Sequence, residues 1–215
     1  LGVAVLVIVL SVMSGFDDMW SEKILSFNSH ITVSRDGQVL EDYAPLMDDI
    51  RRAEGVTGVA PYVQGLVFFT HKGRVYTPII RGVDPRYEKE VSRIPEHMRF
   101  GTFSVGDDEV VVGRDLAAQM NLRVGSQVLV YSPQNFTEPD EMHLPEELKV
   151  TGIFELGMWE FDVGYALTSL RRARELYKME EGVHGLQLRD VDPLRAHGVA
   201  ERVKAAVGPT YEVTT

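Results

Sequence analysis

The residue types that do chemistry in enzymes are present in this chain, but their spacing fits no catalytic or metal-binding motif. The histidines are dispersed, and none pairs with a nearby acid in the register of helical metal ligands; they stand at positions 30, 71, 97, 143, 184 and 197. The chain has no GxSxG elbow and no glycine-rich phosphate loop with a Walker-type lysine. We therefore expect no metal, no cofactor and no catalytic residue, and any nucleotide hydrolysis is expected in a partner.

The acidic triplet Asp107-Asp108-Glu109 resembles the paired carboxylates of acid/base catalysts. It follows Val105-Gly106 and precedes a run of three valines. A polar triplet between apolar segments is typical of a solvated hairpin turn. We expect a turn here and not an acid/base site.

Composition narrows the class of protein. The chain has 215 residues, of which 44% are hydrophobic and 25% charged, enough for one sizeable domain or two small subdomains. A net charge of -10 repels phosphate backbones, so nucleic acid is not an expected partner. The absence of cysteine excludes disulfides, thiolate zinc sites and a cysteine nucleophile.

The first 27 residues differ from the rest of the chain. Residues 1–13 carry no charge, and a membrane helix needs roughly 20 apolar residues, so we expect the end of a membrane helix whose start is cut off. A buried core helix is the alternative. Four apolar residues then follow at helical spacing, which predicts an amphipathic stalk near the membrane interface or, equally, a stripe that packs on the domain; they are Phe16, Trp20, Ile24 and Phe27.

From residue 28 onward, strand and helix patterns alternate as in α+β proteins. Predicted strands cover residues 30–34, 59–70, 74–83, 109–112, 127–131, 148–156, 159–167, 183–188 and 211–214. Predicted helices cover residues 43–53, 88–94, 114–120, 169–179 and 192–207. Lys72-Gly73 predicts a hairpin turn, and Ser169 the N-cap of its helix.

Residues 133–145, PQNFTEPDEMHLP, form a proline-bounded segment that we call the arm. It is too long for a tight hairpin, and its prolines restrict the backbone. Its apolar side chains have no local partner, which favours a docking element. A surface loop that folds back on the domain is the alternative. The residues expected to dock a partner are Pro133, Asn135, Phe136, Thr137, Pro139, Met142, Leu144 and Pro145.

The stretch LGVAVLVIVLSVMSGFDDMWSEKILSFNSHITV resembles the end of the first membrane helix and the start of the periplasmic domain in the LolC/LolE family of lipoprotein-releasing ABC-transporter permeases. The segments GVTGVAPYVQG, IIRGVDP, EVVVGRDLAAQMNLRVGSQVLV and LKVTGIFELGMWEFDVGYALTSL follow the same family's order. The resemblance covers essentially the whole chain. It extends more loosely to the MacB-type efflux permeases and the cell-division permease FtsX.

The resemblance implies a MacB-like α+β domain with two parts. Residues 1–27 would be the membrane helix end and stalk, residues 28–61 and 148–215 a porter-like subdomain, and residues 62–147 an inserted sabre-like subdomain. The arm falls where the family's chaperone-recruiting member carries its hook. The chain departs from the pattern expected of this family in one respect. The arm and the strand that follows it are acidic, whereas some basic residues would be expected on a surface that docks the carrier; the acids are Glu138, Asp140, Glu141, Glu146 and Glu147.

The resemblance also implies the partners and the location. These are a cytoplasmic ATPase subunit, a second permease subunit in a homo- or heterodimer, a LolA-like periplasmic lipoprotein carrier and the lipoprotein substrates, all at the bacterial inner membrane with this domain in the periplasm. Acyl chains would enter near Phe16, Trp20, Ile24 and Phe27. A MacB-type efflux or FtsX-type signalling permease is the first alternative. The second is a soluble enzyme, for which the sequence supplies no polar pocket.

Overall fold

One mixed β-sheet organises the residues that the computed structural model describes, which are 31–133, 144–190 and 196–215. Runs rich in valine, isoleucine and aromatic residues form its strands, because branched side chains pack well on a pleated surface. In chain order the strands are β1 (Ile31–Ser34), β2 (Val56–Leu66), β3 (Phe68–His71), β4 (Arg74–Tyr76), β5 (Ile79–Val83), β6 (Met98–Gly101), β7 (Glu109–Gly113), β8 (Gln127–Tyr131), β9 (Glu146–Phe154), β10 (Tyr165–Ser169), β11 (Gly185–Asp190) and β12 (Glu212–Thr214).

The spatial order of the strands is β12-β1-β11-β2-β5-β10-β7-β9-β8-β3-β4, and β6 pairs with the far end of β9. The pairs β5–β10 and β7–β9 are parallel, and the other pairs are antiparallel. Helices pack on this sheet: α1 (Tyr43–Arg51), α2 (Pro85–Val91), α3 (Arg114–Met120), α4 (Trp159–Gly164), α5 (Leu170–Leu176) and α6 (Ala196–Val207), with a 3-10 turn at Ile94–Glu96. This mixture confirms the predicted α+β class.

Three apolar clusters form the core of the described residues. The first packs α1, α5 and α6 on β1, β2 and β11. The second packs α3 on the strands from β7 to β3. The third lies around Phe154 and Leu167 on the other side of β7. Val110 and Val112 of β7 point into the second cluster and Val111 into the third, so this strand is buried on both faces, as parallel strands usually are.

Two predicted strands are each divided in two. The strand predicted at residues 59–70 becomes β2 and β3, because the chain leaves its pairing with β5 and pairs with β8 after Val67. The strand predicted at 74–83 becomes β4 and β5, separated by Pro78, which has no N–H to offer a ladder. The hairpin turn is confirmed: Lys72 and Gly73 have φ of 47° and 78°, and His71 pairs with Arg74.

The strand predicted at residues 159–167 is wrong over its first half. Apolar residues alternate there in the manner of a strand, yet Trp159–Gly164 is helical and only Tyr165–Ser169 is extended. The Asp162 carboxylate accepts hydrogen bonds from the backbone N–H groups of Leu156 at 2.8 Å and Gly157 at 2.9 Å. These contacts close the turn before α4 and require Asp162 to face inward.

The two predicted subdomain boundaries both fall inside strands. Position 62 lies in β2 and position 148 lies in β9, and the sheet is continuous through both. The division into a porter-like and a sabre-like part stays a prediction. None of the helices within the described residues has the length and apolar run needed to cross a membrane.

Candidate docking site at the base of the arm

The arm leaves the sheet at the end of β8 and returns to it at the start of β9. Val130 of β8 lies directly opposite Glu146 of β9, so the two ends of the arm are adjacent in space. Pro133 is exposed, Leu144 is 78% exposed, and Pro145 is half-buried. Among the large hydrophobic side chains of the described residues, Leu144 is the most exposed. A second set of exposed side chains lies on the neighbouring strands.

That second set is a cross-strand row on one face of the sheet, which we call the outer row. Val75 of β4 lies opposite Thr70 of β3, Thr70 opposite Leu129 of β8, and Leu129 opposite Glu147 of β9. Residues directly opposite each other in a ladder point to the same face. Val75 is 63% exposed, and Leu129 and Glu147 are also exposed. The outer row therefore presents two open apolar side chains beside the base of the arm.

On the opposite face of β9, Glu146 is fixed by an arginine of α5. Arg172 Nη1 lies 2.5 Å from Glu146 Oε2 and 2.9 Å from Glu175 Oε2. The same guanidinium donates to the backbone carbonyl of Asp107 and to the carboxylate of Asp108. Its side chain is only 13% exposed. One largely shielded cation thus joins α5, the turn before β7 and the strand on which the arm returns.

The acidic triplet belongs to this network. Asp107 and Asp108 lie in the turn between β6 and β7, but those strands flank β9 on opposite sides, so the predicted hairpin turn is wrong. Arg171 and then the Ser169 hydroxyl hold the pKa of Asp107 below its usual range by hydrogen bonding. Glu109 Oε2 accepts hydrogen bonds from Ser104 Oγ at 2.5 Å and the N–H of Gly106 at 2.8 Å. All three carboxylates have structural partners.

Many of the predicted site residues lie outside the described residues. These are Asn135, Phe136, Thr137, Pro139 and Met142 of the arm, and Phe16, Trp20, Ile24 and Phe27 of the stalk. Sequence reasoning missed the outer row, because Val75 and Leu129 are far apart in the chain and become neighbours only through β3. It also missed Arg172. Within the described segments, no group of histidines and acids has the arrangement of a metal site.

A buried carboxyl group lies on α2, apart from the arm. Glu88 is 1% exposed, and the positive charge of the buried Arg81 of β5 acts on it. Burial raises the pKa of Glu88 to about 7, although the positive charge of Arg81 and a hydrogen bond with Ser92 act in the opposite direction. Arg81 donates from Nε to Gln64 Oε1 at 3.1 Å. Glu88 is closed off from any substrate, so its raised pKa affects the stability of the domain.

The chain belongs to the family of MacB-like periplasmic core domains, whose model matches residues 1–206. It is 29% identical over 200 residues to the lipoprotein-releasing system transmembrane protein LolC of Neisseria meningitidis serogroup B, covering 91% of this chain and 48% of that protein. It is 29% identical over 219 residues to LolC of Xylella fastidiosa, covering 100% and 52%. With LolE of Haemophilus influenzae the identity is 25% over 207 residues, covering 93% and 50%. The chain spans about half the length of these relatives.

Two solved structures have a similar fold. The periplasmic region of MacB from Actinobacillus actinomycetemcomitans matches with a TM-score of 0.56 at 9% identity, covering 86% of this chain and 87% of that one. The extracellular domain of the noncanonic ABC-type transporter YknZ from Gram-positive bacteria gives 0.56 at 9% identity, covering 86% and 99%. At this identity the likeness shows the fold alone, and it confirms the predicted MacB-like α+β domain.

Proposed function

We propose that this chain is the periplasmic domain of a permease subunit in an ABC transporter of the lipoprotein-releasing type, located in the bacterial inner membrane. The transporter extracts lipoproteins from that membrane and passes them to a soluble periplasmic carrier, and this domain docks the carrier. The permease works as a dimer with a second permease subunit. ATP is hydrolysed by a separate cytoplasmic subunit, and this chain catalyses no reaction itself.

The relatives support the transporter class in this proposal. Three of them carry the name of a lipoprotein-releasing system and align along 91% or more of this chain. The likeness to MacB is one of fold at 9% identity and gives no separate support for efflux. The names therefore favour lipoprotein release over the efflux and signalling alternatives.

The observation that carries the docking role is the outer row beside the arm. Val75 on β4, Leu129 on β8 and Leu144 just before β9 are exposed apolar side chains, and β8 and β9 meet at the base of the arm. Exposed apolar groups that lie together are typical of interaction sites. A partner that covers them would gain about 25 cal/mol for each Å² of apolar surface removed from water.

The charge around the arm indicates the chemistry of the carrier's surface. Residues 133–149 include five acids and a single lysine, Lys149. Complementary potentials steer two proteins together and fix their register. We expect the docking face of the carrier to combine an apolar patch with basic side chains.

A binding titration tests the docking role. The permease that contains this chain is placed in lipid nanodiscs and titrated with the carrier of the same organism, with and without residues 133–145 replaced by a short Gly-Ser linker. Saturable binding that disappears with the arm supports the role. Unchanged binding after the replacement contradicts it, and no binding in either form returns the arm to an ordinary loop.

Single substitutions distinguish the outer row from exposed apolar surface in general. Val75→Lys is expected to weaken carrier binding, because it removes apolar surface and places a positive charge opposite the basic side chains expected on the carrier. Trp159→Lys is the matched control, since Trp159 is 61% exposed but lies on α4. Equal effects of the two substitutions would contradict a specific role for the outer row.

The stalk is proposed to line the entry of the lipoprotein's acyl chains, on the basis of its sequence. Its residues are Phe16, Trp20, Ile24 and Phe27, and each buried methylene contributes roughly 0.8 kcal/mol in an apolar environment. Replacing them with Asp should abolish lipoprotein retention by the permease and leave carrier docking intact. Unchanged retention would refute this assignment.

A further inference from the structure

Glu146 is the first residue of β9 and therefore the point where the arm rejoins the domain. Its pairing with Val130 is the terminal pair of the β8–β9 ladder. Terminal pairs are where strands fray, because only one side of the pair is supported by further ladder. The position of the first residues of β9 thus depends on what else holds Glu146.

The side chain of Glu146 is held by Arg172, which belongs to a different part of the domain. Helix α5, which carries Arg172, packs on β5 and β2, and its Leu170 and Ala173 lie in the first core cluster. Its start is fixed by the Ser169 hydroxyl, which accepts from the N–H of Arg172 at 3.0 Å. The start of β9 is therefore tied to a helix that is anchored in the core.

The chemistry of this contact requires an arginine. The guanidinium of Arg172 reaches the carboxylates of Asp108, Glu146 and Glu175 and the carbonyl of Asp107. A planar fork with five N–H donors can serve several acceptors in fixed directions, and a lysine ammonium cannot. Three acids around one cation also repel each other, so removal of the cation leaves them free to separate.

We propose that Arg172 is a positioning residue for carrier docking, which holds the start of β9, and with it Glu147 of the outer row, in place by binding Glu146 against α5. This inference rests on the proposed docking function and adds to it the link that joins the docking surface to the core. Movement of α5 relative to the sheet would be transmitted to the base of the arm through this contact.

A neighbouring arginine provides a matched control. Arg171 is 64% exposed and pairs with Asp107 and Glu175, but its ion pairs do not include Glu146. Arg171→Gln therefore removes the same charge from the same turn of helix without touching the base of the arm. Glu146→Gln removes the contact from the other side.

The experiment measures carrier affinity for the permease in nanodiscs, with four variants: Arg172→Gln, Glu146→Gln, the double variant and Arg171→Gln. Arg172→Gln and Glu146→Gln are each expected to weaken binding by about tenfold, and the double variant by no more than either alone, since both remove the same contact. Arg171→Gln should bind like the wild type. Additive losses, or an equal loss in Arg171→Gln, would overturn the proposal.

Hydrogen–deuterium exchange of the same samples gives a readout that does not depend on the carrier. Amides of residues 146–149 should exchange about tenfold faster in Arg172→Gln and Glu146→Gln than in the wild type, with β5 and β10 unchanged. Faster exchange throughout the domain would show that Arg172 contributes to overall stability only, and no change at residues 146–149 would show that it does not hold this strand. If the wild type does not bind the carrier, the docking function fails, and the exchange comparison alone decides whether Arg172 positions this strand.

Discussion

Replacing the buried Glu88 with glutamine should change the pH dependence of stability. The pKa of Glu88 is about 7 in the folded domain and near 4.5 when the group is unperturbed. A tenfold change in an ionisation equilibrium is worth about 1.4 kcal/mol, so deprotonation of the buried group costs the folded state about 3 kcal/mol. Because Glu88 is 1% exposed, solvent screens little of this cost.

The direction of the effect follows from where the proton is held. Between about pH 4.5 and pH 7 the folded state keeps a proton on Glu88 that the unfolded chain releases. The free energy of unfolding therefore falls as the pH rises through this window, and the loss is complete above it. Glu88→Gln stays neutral throughout, so it should match the wild type near pH 4 and exceed it by about 3 kcal/mol at pH 8.

Urea unfolding of the purified domain at several pH values measures this difference, and other titrating groups cancel when the variant is compared with the wild type. Glu90→Gln is the control, because Glu90 lies on the same helix and forms an exposed ion pair with Arg51 at 3.2 Å. Its effect should stay within about 0.5 kcal/mol at every pH. A Glu88→Gln effect that is the same at pH 5 and pH 8 would refute the reasoning.

Two further changes test the packing of α5, and thermal unfolding measures both. Gly82→Ala should lower the free energy of unfolding by about 1–3 kcal/mol, because the new Cβ would lie 2.2 Å from the Cβ of Ala173. Gly164→Ala is the control, since a Cβ there meets nothing within 4 Å, and it should change the free energy of unfolding by no more than about 0.5 kcal/mol. Equal effects of the two substitutions would contradict the crowding argument. Ser169→Ala should lower the free energy of unfolding by about 1 kcal/mol, because it removes the N-cap hydrogen bond, whereas Ser169→Thr should keep most of the stability. An unchanged melting temperature in Ser169→Ala would contradict this.

Local signals predicted much of the fold. Helix α3 and strand β8 have the bounds expected from the sequence, and Ser169 caps its helix as expected. In these segments the apolar periodicity, the cap residue and the turn residue all favour the structure that forms, so the local preference and the final structure coincide. The hairpin at Lys72-Gly73 belongs to the same group.

The division of residues 56–71 into two strands could not be predicted in this way. The run contains no residue that forces a break at Val67, and both halves favour extended structure. The break arises because β2 pairs with β5 whereas β3 pairs with β8. Strand partners are separated by tens of residues in the chain, and a local pattern carries no information on which partner each half will choose.

The base of the arm shows the same limit for the candidate site. In the sequence, Glu146 and Glu147 are equivalent acidic residues, and both add to the acidity expected around the arm. Successive residues of a strand point to opposite faces, so pairing with β8 turns Glu146 toward Arg172 and Glu147 toward the outer row. Glu147 stays exposed beside Leu129, whereas Glu146 points to the other face of the sheet. The docking surface is therefore less acidic than the sequence suggests, and a one-residue shift of β9 would turn Glu147 toward Arg172 and Glu146 toward the outer row.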